Sequence, residues 1–382
     1  MEKETENMLK TATDQCAGCR DCAEGCDHLL SQEEHPGGIA EILLSGNVGD
    51  DLKDFILKCS LCGLCRELCP IQLDIPQMVR QVRHEFMKSG INDPDAYRFL
   101  WVDHDWNAFT LYRDTYGLNE TYADLVKEKC DVLFFPGCML ANESPMLVRD
   151  SVLWLSGQGE NVGVLLFCCG VPLKEFGLKD RAAQYADRLW HKIAKTGARR
   201  VITACPTCHA SLLNTKGQHA VEIVSLYKEL AASGLKAPVI GSGRVTVHDS
   251  CTDRKGEIGG YVRKLLRNYE IIEMTHSGTH TICCGSGGIV SLIDPEICDD
   301  RADNRMQEVS ETGADICVTY CMACAHRLAV KSDQHEVLHI LEVLMGHRVD
   351  HEQFNEKANA MWQEELGEKN ADRLNGSELM HF

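Results

Sequence analysis

The sequence of 382 residues predicts an α+β protein of several domains, in which a helical cysteine-rich module precedes two tandem α/β repeats with parallel sheets. Three observations support this fold class. The 21 cysteines fall into an N-terminal group and a later group with different spacings. The later group occurs twice along the chain. In each copy, short apolar runs that end at cysteines alternate with segments of helical periodicity, as in parallel sheets with crossover helices.

Composition narrows the class of protein further. The 57 acidic residues outnumber the 39 basic ones, and a net charge of −18 excludes nucleic acid as a partner. The 44% hydrophobic fraction can bury ordinary cores without disulfides. The polar start Met1–Gln15 predicts no signal peptide, and the apolar runs are too short for a transmembrane segment. We therefore expect a cytoplasmic protein, whose reduced cysteines indicate metal or redox chemistry.

Two N-terminal runs of four cysteines have the spacing of a two-cluster [4Fe–4S] ferredoxin. Each run reads Cys-x-x-Cys-x-x-Cys-x-x-x-Cys; three close thiolates bind one cubane cluster, and the fourth cysteine binds the other. The predicted ligands are Cys16, Cys19, Cys22 and Cys69 for one cluster, and Cys59, Cys62, Cys65 and Cys26 for the second. A pair of zinc sites is the alternative, disfavoured because both runs match in full. Asp27 follows Cys26 where proline is usual, but no ligand is lost.

The later cysteines form two matching sets of five. The first set is Cys138, Cys168, Cys169, Cys205 and Cys208, and the second is Cys251, Cys283, Cys284, Cys321 and Cys324. In both copies a Thr-Gly-Ala segment precedes the final cysteine pair at the same distance. The sequence therefore predicts two copies of one α/β unit, with cysteines at the carboxyl ends of strands.

These patterns divide the chain into five expected parts. They are a ferredoxin-like module at 1–93, an aromatic-rich linker at 94–129, a first repeat at 130–242, a second repeat at 243–348 and an acidic tail at 349–382. For the linker we favour packing between the modules over a docking surface for a partner. For the tail we expect a solvated helix or a loose end.

Adjacent cysteines cannot easily bind one tetrahedral metal together, but they can bind different irons of a larger cluster. Gly170 and Gly285 follow the adjacent pairs, and we predict that they bind the cofactor because they leave room for inorganic sulfide. The run Ser286-Gly287-Gly288 occurs only in the second copy and predicts a more accessible second site.

A two-cluster ferredoxin followed by a duplicated Cys…Cys-Cys-Gly…Cys-x-x-Cys pattern resembles the heterodisulfide reductase family, in its fused, catalytic D-type subunit. The resemblance covers roughly residues 16–345. Iron–sulfur subunits of anaerobic glycerol-3-phosphate dehydrogenase and of glycolate oxidase share this architecture. The resemblance implies one or two noncubane [4Fe–4S] clusters, held by the two five-cysteine sets, that cleave a disulfide. Zinc in one repeat is the alternative cofactor.

Three other signals point to different chemistry. His248, just before Cys251, is a candidate proton donor to a departing thiolate; a structural hydrogen bond is the alternative. The segment His335–His339 matches the HExxH zinc-protease pattern, but the first copy keeps only one of its histidines. A thioredoxin-like redox pair at Cys205-x-x-Cys208 is disfavoured by the wider pattern. The cysteines left without a predicted function are Cys130, Cys298 and Cys317.

The chain lacks a G-x-G-x-x-G motif and a P-loop, so we expect no flavin or nicotinamide of its own. Electrons would then pass to or from a flavoprotein, a hydrogenase-type subunit or a membrane cytochrome, which could hold the chain at the inner face of the membrane. The leading hypothesis is an oxidoreductase subunit that relays electrons through two cubane clusters to noncubane clusters that reduce a disulfide. The alternative is an electron-transfer adapter between a flavin dehydrogenase and quinone or a cytochrome, without a disulfide substrate.

Overall fold

The N-terminal module is helical, as predicted, in the computed structural model, which describes residues 1–380. Its helices are α1 (Lys3–Gln15), α2 (Asp27–Leu30), α3 (Pro36–Ser45), α4 (Asp50–Leu57), α5 (Leu64–Leu68) and α6 (Ile75–Ser89). Helix α1 packs on α3 and α6, and apolar side chains such as Leu9, Ile39 and Val79 are buried between them. The cysteine runs lie mainly in the loops at the ends of these helices, so the helical core holds both runs on one scaffold.

The linker and the tail pack on each other. The linker forms a 3₁₀ helix (Pro94–Leu100), α7 (Ala108–Thr115) and α8 (Leu118–Thr121), and the tail forms α20 (His351–Ala360) and α21 (Glu364–Asn375). The Tyr116 hydroxyl donates a hydrogen bond to the Lys357 carbonyl at 2.7 Å, and the Arg373 guanidinium lies 3.7 Å from the Trp106 ring centroid. Linker aromatics also contact the first repeat, as Tyr97 does at Phe176. The aromatic side chains of the linker therefore pack against the tail and the first repeat, and the tail is a pair of packed helices.

Each repeat contains a four-stranded parallel sheet. The strands are β1 (Val132–Phe135), β2 (Val162–Val164), β3 (Arg200–Thr203) and β4 (Glu222–Ser225), then β5 (Arg244–His248), β6 (Glu270–Ile271), β7 (Ile316–Thr319) and β8 (Glu336–His339). The strand orders are β2-β1-β3-β4 and β6-β5-β7-β8, and all pairs are parallel. The identical order confirms the two predicted α/β units. The edge strands β4 and β8 are additions to what the sequence predicted.

Helices cover the two sheets. They are α9 (Cys138–Glu143), α10 (Pro145–Ser156), α11 (Val171–Phe176), α12 (Lys179–Thr196), α13 (Pro206–Thr215) and α14 (Leu226–Ala232), then α15 (Glu257–Leu265), α16 (Val290–Ile293), α17 (Pro295–Thr312), α18 (Met322–Lys331) and α19 (Ile340–Met345). Cys205 and Cys321 are the N-cap residues of α13 and α18, and each lies two positions after the end of β3 or β7. These cysteines lie at the carboxyl ends of the strands, where ligand sites of parallel sheets gather.

The repeats share one apolar core. Strand residues of both sheets, such as Val132 and Val318, belong to a single cluster of buried side chains. At its centre the Tyr227 hydroxyl lies 2.6 Å from the Ala204 carbonyl oxygen and 3.2 Å from that of Tyr320. The two repeats therefore pack against each other around a shared core. In the part of the chain described, no helix is long and apolar enough to cross a membrane.

Candidate iron–sulfur sites

The four cysteines predicted for the first cubane cluster lie together. Burial raises the pKa of Cys22 to about 11, and the nearby thiols of Cys69, Cys16 and Cys19 contribute to this rise. Cys16 Sγ lies 3.5 Å from His35 Nδ1, and Cys19 is exposed. The distant Cys69 joins the other three, as the ferredoxin rule predicts; their role as ligands stays a prediction.

The second predicted cubane set faces the second repeat. Burial, followed by the nearby thiols of Cys59 and Cys26, raises the pKa of Cys65. The Cys62 thiol makes a hydrogen-bond contact with Cys283, a cysteine of the second five-cysteine set. A cavity of about 250 Å³ is lined by all four cubane cysteines and Cys283. Sequence spacing contains no signal for this contact between modules.

Each five-cysteine set is assembled from three chain segments. In the second set, Cys284 Sγ lies 3.1 Å from Cys324 Sγ, Cys283 contacts Cys284, and Cys321 contacts Cys324. Cys251 lies close enough to Cys283 and Cys284 to be affected by their charge. The structure therefore brings together all five cysteines predicted for the second repeat.

The first set has the same organisation. Cys168 contacts Cys138 and Cys169, and Cys208 contacts Cys169 and Cys205. The two sets also meet, because the Cys205 thiol contacts Cys321 of the other repeat. A chain of thiol contacts thus runs from one repeat into the next.

Gly137 is a site residue that spacing did not reveal. Its φ is +87°, and a Cβ there would lie 2.9 Å from Cys205 Cβ and 3.3 Å from Cys208 Sγ. Any side chain would collide with the cysteine pair of the first set. The Pro-Gly dipeptide before Cys138 was the available signal.

The donor set fits iron–sulfur clusters. Hydrogen bonds among neighbouring thiols, followed by burial, raise the pKa of Cys168 and Cys208 well above the usual value. Thiols that donate to Cys169, Cys205 and Cys283 lower the pKa of these three well below it. So many close thiolates cannot coexist without positive charge. Soft thiolate ligands with no carboxylate among them suit iron–sulfur clusters, which would supply that charge.

The glycines beside the adjacent cysteines have protein neighbours. A Cβ on Gly170 would lie 2.9 Å from the Tyr185 ring, and a Cβ on Gly285 would lie 2.4 Å from the Cys298 carbonyl oxygen. Both residues have positive φ, +82° and +93°. Close packing therefore requires glycine at both positions, and their contact with a cofactor stays a prediction.

The Ser286-Gly287-Gly288 run does not open the second site, contrary to the reason given for greater accessibility there. Gly287 and Gly288 pack against the loop that carries Cys59, and Cβ atoms there would lie 2.6 Å from the Ser60 carbonyl oxygen and 2.3 Å from that of Cys59. The glycines thus allow the ferredoxin loop to approach. The larger opening lies at the first repeat instead.

That opening is a cavity of about 640 Å³ beside the first five-cysteine set. Cys138 and Cys168 form part of its wall. Apolar side chains, among them Val102, Phe109 and Leu133, form most of the rest, and four lysines line it as well: Lys127, Lys129, Lys192 and Lys195. The volume is that of a small-molecule site, and the four lysines outnumber the one glutamate in the same wall, Glu128.

His248 lies in the second five-cysteine site as a neutral imidazole. Its Nδ1 accepts a hydrogen bond of 2.9 Å from Arg305 Nε, so the ring proton is on Nε2. His248, Cys284 and Cys324 offer ligand atoms within 4.8 Å of one another, and Nε2 has no hydrogen-bond partner among the described residues. Burial, followed by the charge of Arg305, lowers the pKa of His248 to about 3. A hydrogen bond from Nε2 to a cluster sulfur suits this geometry better than donation from an imidazolium; the catalytic role stays a prediction.

The other signals have structural explanations. Glu336–His339 is strand β8, so the HExxH histidines do not share a helix; His335 Nε2 contacts the Ser310 hydroxyl, and His339 caps α19. Of the three spare cysteines, Cys317 is buried in β7, and Cys130 and Cys298 are also buried.

Two parallel-sheet units with five cysteines each, joined to a helical module with eight, define an iron–sulfur electron-transfer protein. Residues 15–74 match the 4Fe-4S dicluster domain family, and residues 132–213 and 245–329 each match the Cysteine-rich domain family. The chain is homologous to subunits of heterodisulfide reductase, of a fumarate reductase and of anaerobic glycerol-3-phosphate dehydrogenase.

Two of these relatives are archaeal. One is a component of the fumarate reductase (CoM/CoB) of Methanothermobacter marburgensis; it is 24% identical over 364 residues, which cover 86% of this chain and 71% of the relative. The other is a component of the dihydromethanophenazine:CoB–CoM heterodisulfide reductase of Methanosarcina barkeri; it is 24% identical over 375 residues, covering 84% of this chain and 90% of the relative. Both relatives belong to oxidoreductases of several chains.

The third relative matches a shorter stretch. This component of the anaerobic glycerol-3-phosphate dehydrogenase of Escherichia coli K12 is 26% identical over 245 residues, which cover 59% of this chain and 61% of the relative. Among solved structures, a hypothetical protein from Helicobacter pylori has a TM-score of 0.55 at 9% identity over 92% of this chain and 77% of that chain, which shows a shared fold alone. The family matches and these relatives show that the chain is homologous to iron–sulfur electron-transfer subunits of heterodisulfide-reductase-like complexes.

Proposed function

We propose that this subunit passes electrons from two cubane clusters to noncubane clusters in the repeats, which reduce a small-molecule disulfide. The proposal rests on a series of neighbouring cysteines that runs from the ferredoxin module through the second repeat to the first repeat. Cys22 lies near Cys65, Cys62 contacts Cys283, and Cys321 contacts Cys205. This series of cysteines ends at Cys138 and Cys168, which line the 640 Å³ cavity.

The cavity favours a disulfide that carries negative charge. Its apolar wall suits a hydrocarbon chain, and its four lysines suit carboxylate, sulfonate or phosphate groups. Arg113 lies in the same wall and is buried, and its guanidinium is close enough to Cys138 and Cys168 to be affected by their charge. This cation would favour the negative charge that develops on a sulfur atom when the S–S bond breaks.

The reaction is R–S–S–R′ + 2 e⁻ + 2 H⁺ → R–SH + R′–SH. Clusters held by the two five-cysteine sets would supply the electrons singly and an iron that can hold a thiolate. The chain itself contributes the remaining functions. The lysines attract the substrate, the apolar wall excludes water, and Arg113 stabilises charge at the reacting sulfur.

Lys192 provides the test of this cavity. Lys192→Gln should raise KM for an anionic disulfide about fivefold and leave kcat nearly unchanged, because a half-exposed ion pair contributes about 1 kcal/mol at most. The measurement is thiol release by anaerobically purified protein with a chemical electron donor. Lys264→Gln, in the second repeat, is the matched control.

Iron analysis shows whether the protein in the cleavage assay contains all of its clusters. Four clusters require about 16 irons per chain. Protein with this iron content that cleaves no disulfide across anionic and neutral substrates would overturn the reductase proposal. The electron-transfer adapter would then remain, for which we see no separate support in the site.

The setting of the subunit is also part of the proposal. We propose a cytoplasmic location and an electron donor that is a flavoprotein, a hydrogenase-type subunit or a membrane cytochrome. The exposed Cys19 in the first cubane set supports electron entry at that end of the chain. Proteins that co-purify with the tagged chain would identify the donor.

A further inference from the structure

A second cluster of ligand side chains lies away from the thiol path. Glu143 ends α9 of the first repeat, His326 lies on α18 of the second repeat, and His351 begins α20 of the tail. Glu143 Oε1 lies 2.8 Å from His326 Nδ1 and 2.6 Å from His351 Nδ1. One carboxylate oxygen and two imidazole nitrogens from three modules therefore converge.

The cluster is buried and incompletely satisfied. The Glu143 side chain is 0% exposed, and the exposed fractions of His351 and His326 are 8% and 20%. Glu143 Oε2 and His351 Nε2 have no hydrogen-bond partner among the described residues. Burial raises the pKa of the Glu143 carboxyl, but hydrogen bonds from the two histidines outweigh it, so the pKa stays below its usual value. The unpartnered carboxylate oxygen and imidazole nitrogen are the costly groups in this cluster, because a buried polar atom without a partner loses its hydration and gains nothing in return.

We propose that Glu143, His326 and His351 bind one divalent metal ion of the zinc type. The three ligand atoms lie within 4.8 Å of one another, and two imidazoles with one carboxylate are a ligand set that zinc uses, with water in the fourth position. The second carboxylate oxygen of Glu143 is free for bidentate binding. The exposed fifth of His326 gives the ion a path from solvent.

The ion has a structural task in this position. It joins the first repeat, the second repeat and the tail at one point. Phe354 of α20 packs on His326 with ring centroids 5.3 Å apart, and on Tyr112 of the linker at 4.9 Å. The metal therefore fixes the tail over the junction of the repeats.

The test uses the full chain with its clusters, purified anaerobically and supplied with Zn²⁺ alone. We expect one zinc per chain in addition to about 16 irons. X-ray absorption at the zinc edge should show only nitrogen and oxygen ligands near 2.0–2.1 Å, whereas zinc in a cysteine site would show sulfur near 2.3 Å. The absorption spectrum tests the wild-type protein directly and so does not depend on the folding of any variant.

Variants identify the ligands. Glu143→Gln and His351→Gln should each weaken zinc binding at least about tenfold without changing the iron content. His347→Gln is the matched control, because His347 also pairs with a carboxylate, Asp150, but at an exposed position. Zinc with sulfur ligands, no bound zinc, or unchanged binding in both variants would overturn the proposal. None of these results depends on disulfide reduction.

Discussion

His248 shows how the two repeats differ at single residues. It ends β5 where Phe135 ends β1, and its Nδ1 is held by the buried Arg305. Arg305 in turn bonds to Glu308 and to the His276 carbonyl. At this strand end the second site thus has an imidazole N–H donor bound to a buried guanidinium, while the first has an apolar ring.

Replacing His248 tests this difference. His248→Phe should lower the reduction potential of the cluster in the second repeat by about 60 mV. A hydrogen bond to a charged group is worth about 1.5 kcal/mol, which is about 65 mV for one electron. A redox titration followed by electron paramagnetic resonance measures the change.

His248→Gln is the conservative variant, since its amide can donate to sulfur and accept from Arg305. It should restore most of the potential. Equal potentials in wild type and His248→Phe would show that Nε2 makes no bond to the cluster.

Spacing predicted the cysteine sets at the residue scale but not the residues around them. Short motifs of fixed spacing predicted eighteen cysteines as ligands, because cluster ligands in such motifs come at a few allowed separations. Gly137, Arg113 and Arg305 were missed because their importance comes from contacts between segments far apart in sequence. His248 was found only through its position before Cys251.

The Gly287–Gly288 turn is the element that joins the second repeat to the ferredoxin module. Gly288 has φ of +65° and lies against the backbone of Cys59 and Ser60. Arg301 adds a hydrogen bond of 3.0 Å to the Lys58 carbonyl in the same loop. The turn therefore sets the position of the loop that brings Cys62 to Cys283.

Gly288→Ala should disturb the second cubane site. Its Cβ would lie 2.3 Å from the Cys59 carbonyl oxygen, so the loop must move away. We expect the loss of about four irons per chain, one cluster, in metal analysis.

Gly256→Ala is the control for backbone strain alone, because Gly256 has φ of +71° and open space around its Cβ position. It should cost about 1 kcal/mol of stability and no iron. Retention of all iron by Gly288→Ala would show that the loop tolerates the displacement.

The edge strands β4 and β8 explain where prediction of elements failed. Each has four residues, and the burial rises from an exposed glutamate to buried residues along the strand. Strands of the same length, such as β3 and β7, were recognised because a cysteine of the predicted sets follows each of them, whereas no cysteine follows β4 or β8. The HExxH pattern gave no indication of a strand, although its last four residues form β8.

The Arg83 side chain forms hydrogen bonds with all three modules of the molecule. Its guanidinium donates to five carbonyl oxygens: those of Ile56, Leu57, Cys59, Glu175 and Gly288. These belong to the ferredoxin module, the first repeat and the second repeat. One buried side chain thus connects all three modules.

Arg83→Leu should destabilise the chain by about 3 kcal/mol or more, because it leaves buried carbonyl groups without donors. Thermal unfolding followed by circular dichroism and by cluster absorbance should show a lower Tm. The ferredoxin module should separate from the repeats, giving two transitions in place of one.

Arg267→Leu is the matched control, since Arg267 also donates to three carbonyl oxygens, those of Gly234, Leu235 and Lys264, but is exposed. Its Tm should change little. A similar decrease in Tm in both variants would mean that the hydrogen bonds of Arg83 between the three modules contribute no more stability than those of an exposed arginine.

At the scale of the molecule, the duplication allowed both sheets to be predicted from one pattern. The order of the sites along the thiol path could not be predicted, because it depends on how three modules pack. The cavity at the first repeat was missed for the same reason, since its wall combines linker residues such as Phe109 with Cys168 and Lys192.

The contact between Cys205 and Cys321 makes a chain without metal vulnerable to oxygen. Cys205 favours its thiolate form, and thiolates beside a second sulfur oxidise to disulfides. A bridge here would link the two repeats covalently and remove one ligand from each site. Iron offered afterwards would find both sites blocked, so reductant has to come before iron in any reconstitution. The contact that we propose for electron transfer between the repeats is therefore also the place where air would join them by a disulfide in the metal-free protein.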